Sequence, residues 1–145
     1  MGPKMPAFDR ATFDDSRWPL LHLWLPGTLS AQGLEESLTN VSGYLHRGER
    51  FLLILDLSRA GIIPLEQRWR MVEWLDAHKQ LLRERMIGIA IIISSPVVQL
   101  SVSAVLFARP LPFPNISCTN LTAAEAWAAE RLREEAWHTH AWKGR

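Results

Sequence analysis

The stretch Phe51–Asp56, FLLILD, most constrains what this chain can fold into. Five consecutive apolar residues end on an aspartate. An apolar run this short, closed by polar and turn residues, is the pattern of a strand buried on both faces. The residues from Asp56 to Gly61 then read as a loop, and Pro64 is placed to open a helix in its first turn. Strand, loop and helix N-terminus in that order form the edge at which an open α/β sheet presents its working surface.

A second run, Met86–Ile93, has the same character. Ile87, Ile89, Ile91 and Ile93 are expected on one face, and Gly88, Ala90 and Ile92 on the other, where small side chains admit a closely packed helix. Around these two strands the pattern gives a hairpin from Ala7–Phe13 and Leu20–Leu25, turning at Asp14–Arg17. A helix capped by Ser30 follows, with a stripe of Leu34, Leu38, Val41 and Leu45. A second helix spans about Pro64–Arg85, with Trp69 facing the sheet and Trp74 on the surface. A third spans about Val97–Ala108 and is stopped by Pro110, Pro112 and Pro114. Asn115–Thr119 reads as an edge strand. Thr122 and Glu125 suggest a capping box for a last helix over Ala123–Ala136. The expected fold is α/β, a single mixed, mainly parallel sheet of about 4–5 strands covered by about four helices.

The chain has 145 residues, 48% hydrophobic and 21% charged, with a net charge of +1. That describes one domain with its own core, expected over 7–137 with flexible ends at 1–6 and 138–145. So small a net charge makes no electrostatic case for nucleic acid or an anionic membrane. Cys118 is the only cysteine, which rules out an internal disulfide and suits a reducing compartment. MGPKMPAFDR carries no signal-like apolar region. Ile87–Ile93 and Val97–Phe107 both fall short of the roughly 20 residues of a spanning helix. A soluble, cytoplasmic protein without an integral membrane segment is expected.

The element order, with Asp56-Leu57-Ser58 at the end of a central strand and a helix just after it, resembles the STAS domain. The resemblance includes its SpoIIAA-like branch of small bacterial proteins. In anti-sigma-factor antagonists the matching stretch continues as Ile-Asp-Ser-Ser-Gly. Here Ile63 matches, Pro64 replaces the Asp, Leu65 and Glu66 replace the serines, and Gln67 replaces the Gly. The Pro-rich passage and Glu125-Ala126-Trp127 are similar to the end of that pattern. The resemblance implies a non-catalytic regulatory or protein-interaction module that lacks the usual phosphorylatable serine. Glu66 would stand there as a fixed negative charge at a helix N-terminus, or simply as an acidic first-turn residue. Ser58 is a second hydroxyl, for modification or for a loop hydrogen bond.

Candidate chemistry is sparse. Asp56 ends a buried strand, where an enzyme places a base or metal ligand, but no second catalytic group lies near it in sequence. His138 and His140 are two ligands where a metal site needs three or four. There is no Gly-x-Ser-x-Gly elbow, phosphate-cradling glycine loop or Cys–His signature. Neither a catalytic residue, a metal nor a cofactor is expected. The expected partner surface is Asp56, Ser58, Ile63, Glu66 and Arg70. In the Val97–Phe107 helix, apolar residues spread around most of the circumference. Val98, Val102, Val105 and Leu106 could therefore complete the core, meet a second copy in a homodimer, or enclose a lipid or other small apolar ligand.

Overall fold

The computed structural model describes residues 10–143, with side chains up to His138. Ten elements follow one another: β1 Thr12–Arg17, β2 Leu20–Trp24, α1 Ala31–Leu45, β3 Phe51–Asp56, α2 Leu65–Ala77, α3 Lys79–Arg85, β4 Met86–Ile92, α4 Pro96–Ala108, β5 Asn115–Cys118 and α5 Leu121–Lys143. They form one five-stranded sheet in the order β1-β2-β3-β4-β5. β1 pairs antiparallel with β2, and all the other pairs are parallel. The expected α/β fold with a single, mainly parallel sheet is the one observed.

The sequential strand order explains where the helices lie. Parallel crossovers of one hand, right-handed as a rule, all pass over the same face when the strand order is unbroken. Val41 and Leu45 of α1, Trp74 of α2, Leu82 of α3 and Val98 and Val102 of α4 therefore share one core. That core includes Leu21, Leu23, Phe51, Leu53, Ile89 and Ile91 of the sheet. Among the described residues only α5 reaches the opposite face, where Ala124 and Ala128 pack on Leu20, Leu52, Ile54, Ala90 and Ile92. Every residue of β4 is buried, as a strand covered on both faces requires.

Several local expectations shift. The hairpin turns at Trp18-Pro19, and Asp14–Arg17 continues β1, because Trp18 is drawn onto Phe51 and Tyr44 at 5.0 and 5.4 Å. The long second helix divides at His78. There the ring Nδ1 and the backbone N–H both lie within 3.0 Å of the Trp74 carbonyl, and the ring stacks on Trp74. The Trp69 and Trp74 orientations are reversed, since Trp74 is 7% exposed and Trp69 62%. α5 is capped by the Asn120 side chain, which accepts from Ala123 N–H at 2.8 Å. Glu125 pairs with Arg17 instead of closing a capping box. Ile87 turns to the α5 face, because the β3–β4 register slips between Phe51 and Leu52. α5 also continues to Lys143, past the end expected for the last helix at Ala136. Residues 1–9 and 144–145 lie outside the described residues, and with the former go the end expected at 1–6 and the first three residues of the strand expected at Ala7–Phe13.

Gly88 sets how closely α5 approaches. A Cβ there would stand 2.9 Å from the Trp127 ring and 3.0 Å from the Pro114 carbonyl oxygen. The ring can yield, but the backbone oxygen cannot move without disturbing the β4–β5 pairing, where Ile89 N–H donates to the same carbonyl. Gly88→Ala should therefore lower unfolding stability by about 1–3 kcal/mol in urea denaturation, as overpacking does. Adding Trp127→Leu should restore only part of that loss.

Candidate functional site

The β2–α1 and β3–α2 loops meet at the carboxyl ends of the strands, where the sequence pattern placed the candidate surface. Gly61 N–H donates to the Gly27 carbonyl at 3.0 Å, and a Cβ on Gly61 would lie 3.1 Å from that same oxygen. Two backbones approach this closely only without a side chain between them. The Gln67 side chain donates to the Leu29 carbonyl at 2.6 Å and ties the first turn of α2 to the same loop.

The five expected partner-surface residues occupy different environments. The Asp56 carboxylate accepts from Ser58 N–H at 2.8 Å, and its own carbonyl accepts from Leu25 N–H at 3.1 Å. Asp56 thus shapes the turn, as Asx side chains do at strand ends. Ser58 is exposed, and its carbonyl accepts from the Ser94 hydroxyl at 3.2 Å. Ile63 turns inward, half-buried, and lines a cavity. Glu66 is exposed in the first turn of α2. Arg70 clamps α2 to α1 through a two-pronged pair with Glu35 at 2.6 and 3.0 Å, and also holds Glu73 at 2.9 Å. Its hydrogen bonds keep the Glu35 carboxyl below the usual carboxylate range. A pair this exposed contributes at most about 1 kcal/mol.

The sequence left unmarked a row of apolar side chains beside that loop. Ile62, Leu65 and Trp69 are all exposed, and Leu65 and Trp69 are neighbours on the helix at four-residue spacing. Trp69 and Trp74 lie five residues apart, so they must diverge. Which one faces in follows from Met71 and Leu75, which share the inward side with Trp74. The acidic residues of α2 surround Trp69 at helical spacing. Glu73 is paired with Arg70 and Asp76 with Arg109, whereas Glu66 makes no ion pair among the described residues.

α4 presents two faces. Val98, Val102 and Val105 are buried against the sheet, and Leu106 is half-buried. The surface is formed instead by Val97, Leu100 and Phe107, the last 90% exposed. A contact with another copy would have to use these three, because the expected candidates point inward.

Between the helical layer and the sheet lies a cavity of about 180 Å³. Leu23, Leu53, Leu55 and Ile91 form its floor, and α1, α2 and α4 contribute its walls. Val102, Val105 and Leu106 line it, while Val98 is packed solidly in the core. Trp74 is the one buried residue of α2, and with Met71 and Leu75 it forms this helix's share of the cavity wall.

On the other face, His22 is 7% exposed, and among the described residues its Nε2 has no hydrogen-bond partner. Its ring lies 4.5 Å from Trp24. Glu125 of α5, Arg17 and Asp14 of β1, and Asp56 of β3 are the charged groups that act on it. Burial lifts the Cys118 thiol above the usual cysteine range, which disfavours the reactive thiolate. Among the described residues, no cluster of three or more His, Cys, Asp or Glu could hold a metal, and no helix is long and apolar enough to cross a membrane. His138 is an exposed residue of α5, and the side chain of His140 lies outside the described residues.

No protein-family model and no curated protein matches this sequence.

Burial holds the His22 imidazole below the usual histidine range. The unfolded chain takes up a proton near the ordinary pKa of about 6.5, where the folded chain does not. The contribution is complete above that pH and is lost as the pH falls towards the folded pKa. Melting temperature should therefore drop between pH 7 and pH 5, and His22→Phe should flatten that slope in thermal scans.

Proposed function

We propose that this chain is a non-catalytic, STAS-like interaction module, acting in the cytoplasm. Its docking surface is the β3–α2 loop from Ser58 and the outer face of α2. The observation that carries the reading is Trp69, which lies 62% exposed, one helical turn beyond the exposed Leu65, on the helix that follows the carboxyl end of β3. Tryptophan is enriched among residues that dominate binding energy, because it buries a large area with few rotatable bonds. Glu66, three residues before Trp69 and unpaired among the described residues, sets the chemistry of the partner. That partner is a protein with an apolar pocket for the indole and a lysine or arginine at its rim. Asp56 supports the reading indirectly, since its carboxylate is engaged by the loop backbone. Arg70 acts as the strut that holds α2 at its angle.

A second observation favours self-association by another surface. Between Arg85 and Arg109 the sequence carries no charge, and Val97, Leu100 and Phe107 form one exposed stripe there. A two-fold contact sets a helix against its own copy, where any charge near the axis meets its like. A charge-free stripe avoids that repulsion. We propose that α4 meets a second copy of this chain along these three residues.

Trp69→Ala and Glu66→Lys should leave the melting temperature nearly unchanged and weaken partner binding about tenfold or more. Arg133→Ala, on the opposite helix, should leave it intact. The comparison is affinity capture from the source cells, followed by titration of the captured protein. A partner held equally by Trp69→Ala would remove this surface from consideration. For the α4 contact, sedimentation equilibrium should show a concentration-dependent dimer that Phe107→Glu converts to monomer. A wild-type monomer throughout would refute it.

A further inference from the structure

We infer that the cavity beneath α2 is a binding site for a small, uncharged, apolar molecule about the size of one aromatic ring. The inference is independent of the partner surface, which uses the outer side of the same helix. Three properties of the cavity define the ligand.

The first is polarity. The lining includes Leu34 and Val41 of α1, Trp74 of α2 and Val102 of α4 over a floor of Leu53 and Ile91. Ser37 is the only hydroxyl in the wall, and it already donates to the Gly33 carbonyl at 2.8 Å. Leu53 and Ile91 are paired in the sheet ladder, which engages the backbone of the floor. Water in a protein interior needs two to four polar partners, and this wall offers none. A charged or strongly hydrogen-bonding ligand would lose its hydration without replacement.

The second is size. The cavity measures about 180 Å³. An engineered apolar cavity of about 150 Å³ stays dry and takes up benzene. Sites for larger organic ligands run to about 300–1,000 Å³. A single-ring aromatic or a short branched hydrocarbon therefore fits, and a long acyl chain does not.

The third is access. α2 contributes Met71, Trp74 and Leu75 to the wall, yet Trp74 is its only fully buried residue. Pro64 precedes the helix without a side-chain capping bond. A helix with so little buried on the sheet can move aside at lower cost than α1, which buries five residues. Ile63, at the end of the loop that leads into α2, also lines the cavity.

The experiment titrates the full chain, methyl-labelled, with toluene, benzoate and dodecanoate under NMR observation. Toluene should give saturable shifts at the Leu53, Ile91 and Val102 methyls and intermolecular NOEs to them. Benzoate should bind at least about tenfold more weakly, because its carboxylate would have to shed water. Dodecanoate should not displace toluene. Leu106→Trp should abolish the toluene shifts while the remaining spectrum stays folded. No saturable toluene binding in the wild-type chain overturns the inference. So does equal binding of benzoate, displacement by dodecanoate, or toluene NOEs to methyls outside this cavity. The wild-type NOEs decide the location even if Leu106→Trp fails to fold.

Discussion

The β3–β4 ladder is the constraint on which the rest of the structure depends. Phe51, Leu52, Ile54 and Ala90 are fully buried, and both strands carry apolar side chains to both faces. Each fully buried leucine, isoleucine or phenylalanine side chain contributes about 1.5–3 kcal/mol. A ladder of this kind cannot stand at an edge or face water, so it demands a helical layer on each side. The chain supplies those layers unequally. Four helices cross one face, and a single helix, α5, closes the other.

That inequality gives the two faces different properties. Against α5 the packing is tight, because Gly88, Ala90, Ala124 and Ala128 let helix and sheet approach to the limit set by Trp127. Across the sheet, α1 to α4 share the cover, and α2 has only Trp74 buried where α1 has five buried residues and α4 has four. Arg70 binds it to α1, Arg109 reaches Asp76 at its far end, and Gln67 fastens its first turn to the Leu29 carbonyl. Polar contacts at the periphery hold α2 in position while its inner side remains incompletely filled. The proposed docking surface and the proposed ligand site are the outer and inner sides of this one helix.

Much of the fold was legible in the sequence, because it rests on local patterns. FLLILD and the Met86–Ile92 run announced the buried strands, Ser30 the start of α1, and Pro110 to Pro114 the end of α4. What misled were positions where two residues offered the same signal. Trp69 and Trp74 are equally apolar, and only the tertiary placement of α2 makes one core and the other surface. Thr122 carries a cap-forming hydroxyl, but it is the neighbouring Asn120 whose side chain accepts from Ala123 N–H at the start of α5. The site was less legible than the fold. Asp56 and Arg70 look functional by composition, but their charges are engaged by a backbone N–H and by Glu35. A cavity is a failure of side chains from distant segments to meet. No local pattern encodes it.

Native-state hydrogen exchange tests most directly whether α2 is a loosely seated wall on a rigid sheet. The β3 and β4 amides should exchange only by global unfolding, and the Leu65–Ala77 amides should open with a free energy clearly below the global value. α1 and α5 should lie nearer the sheet. Protection of α2 equal to that of β3 would mean that the helix is bound to the sheet as firmly as the strands are to one another, and would contradict the account.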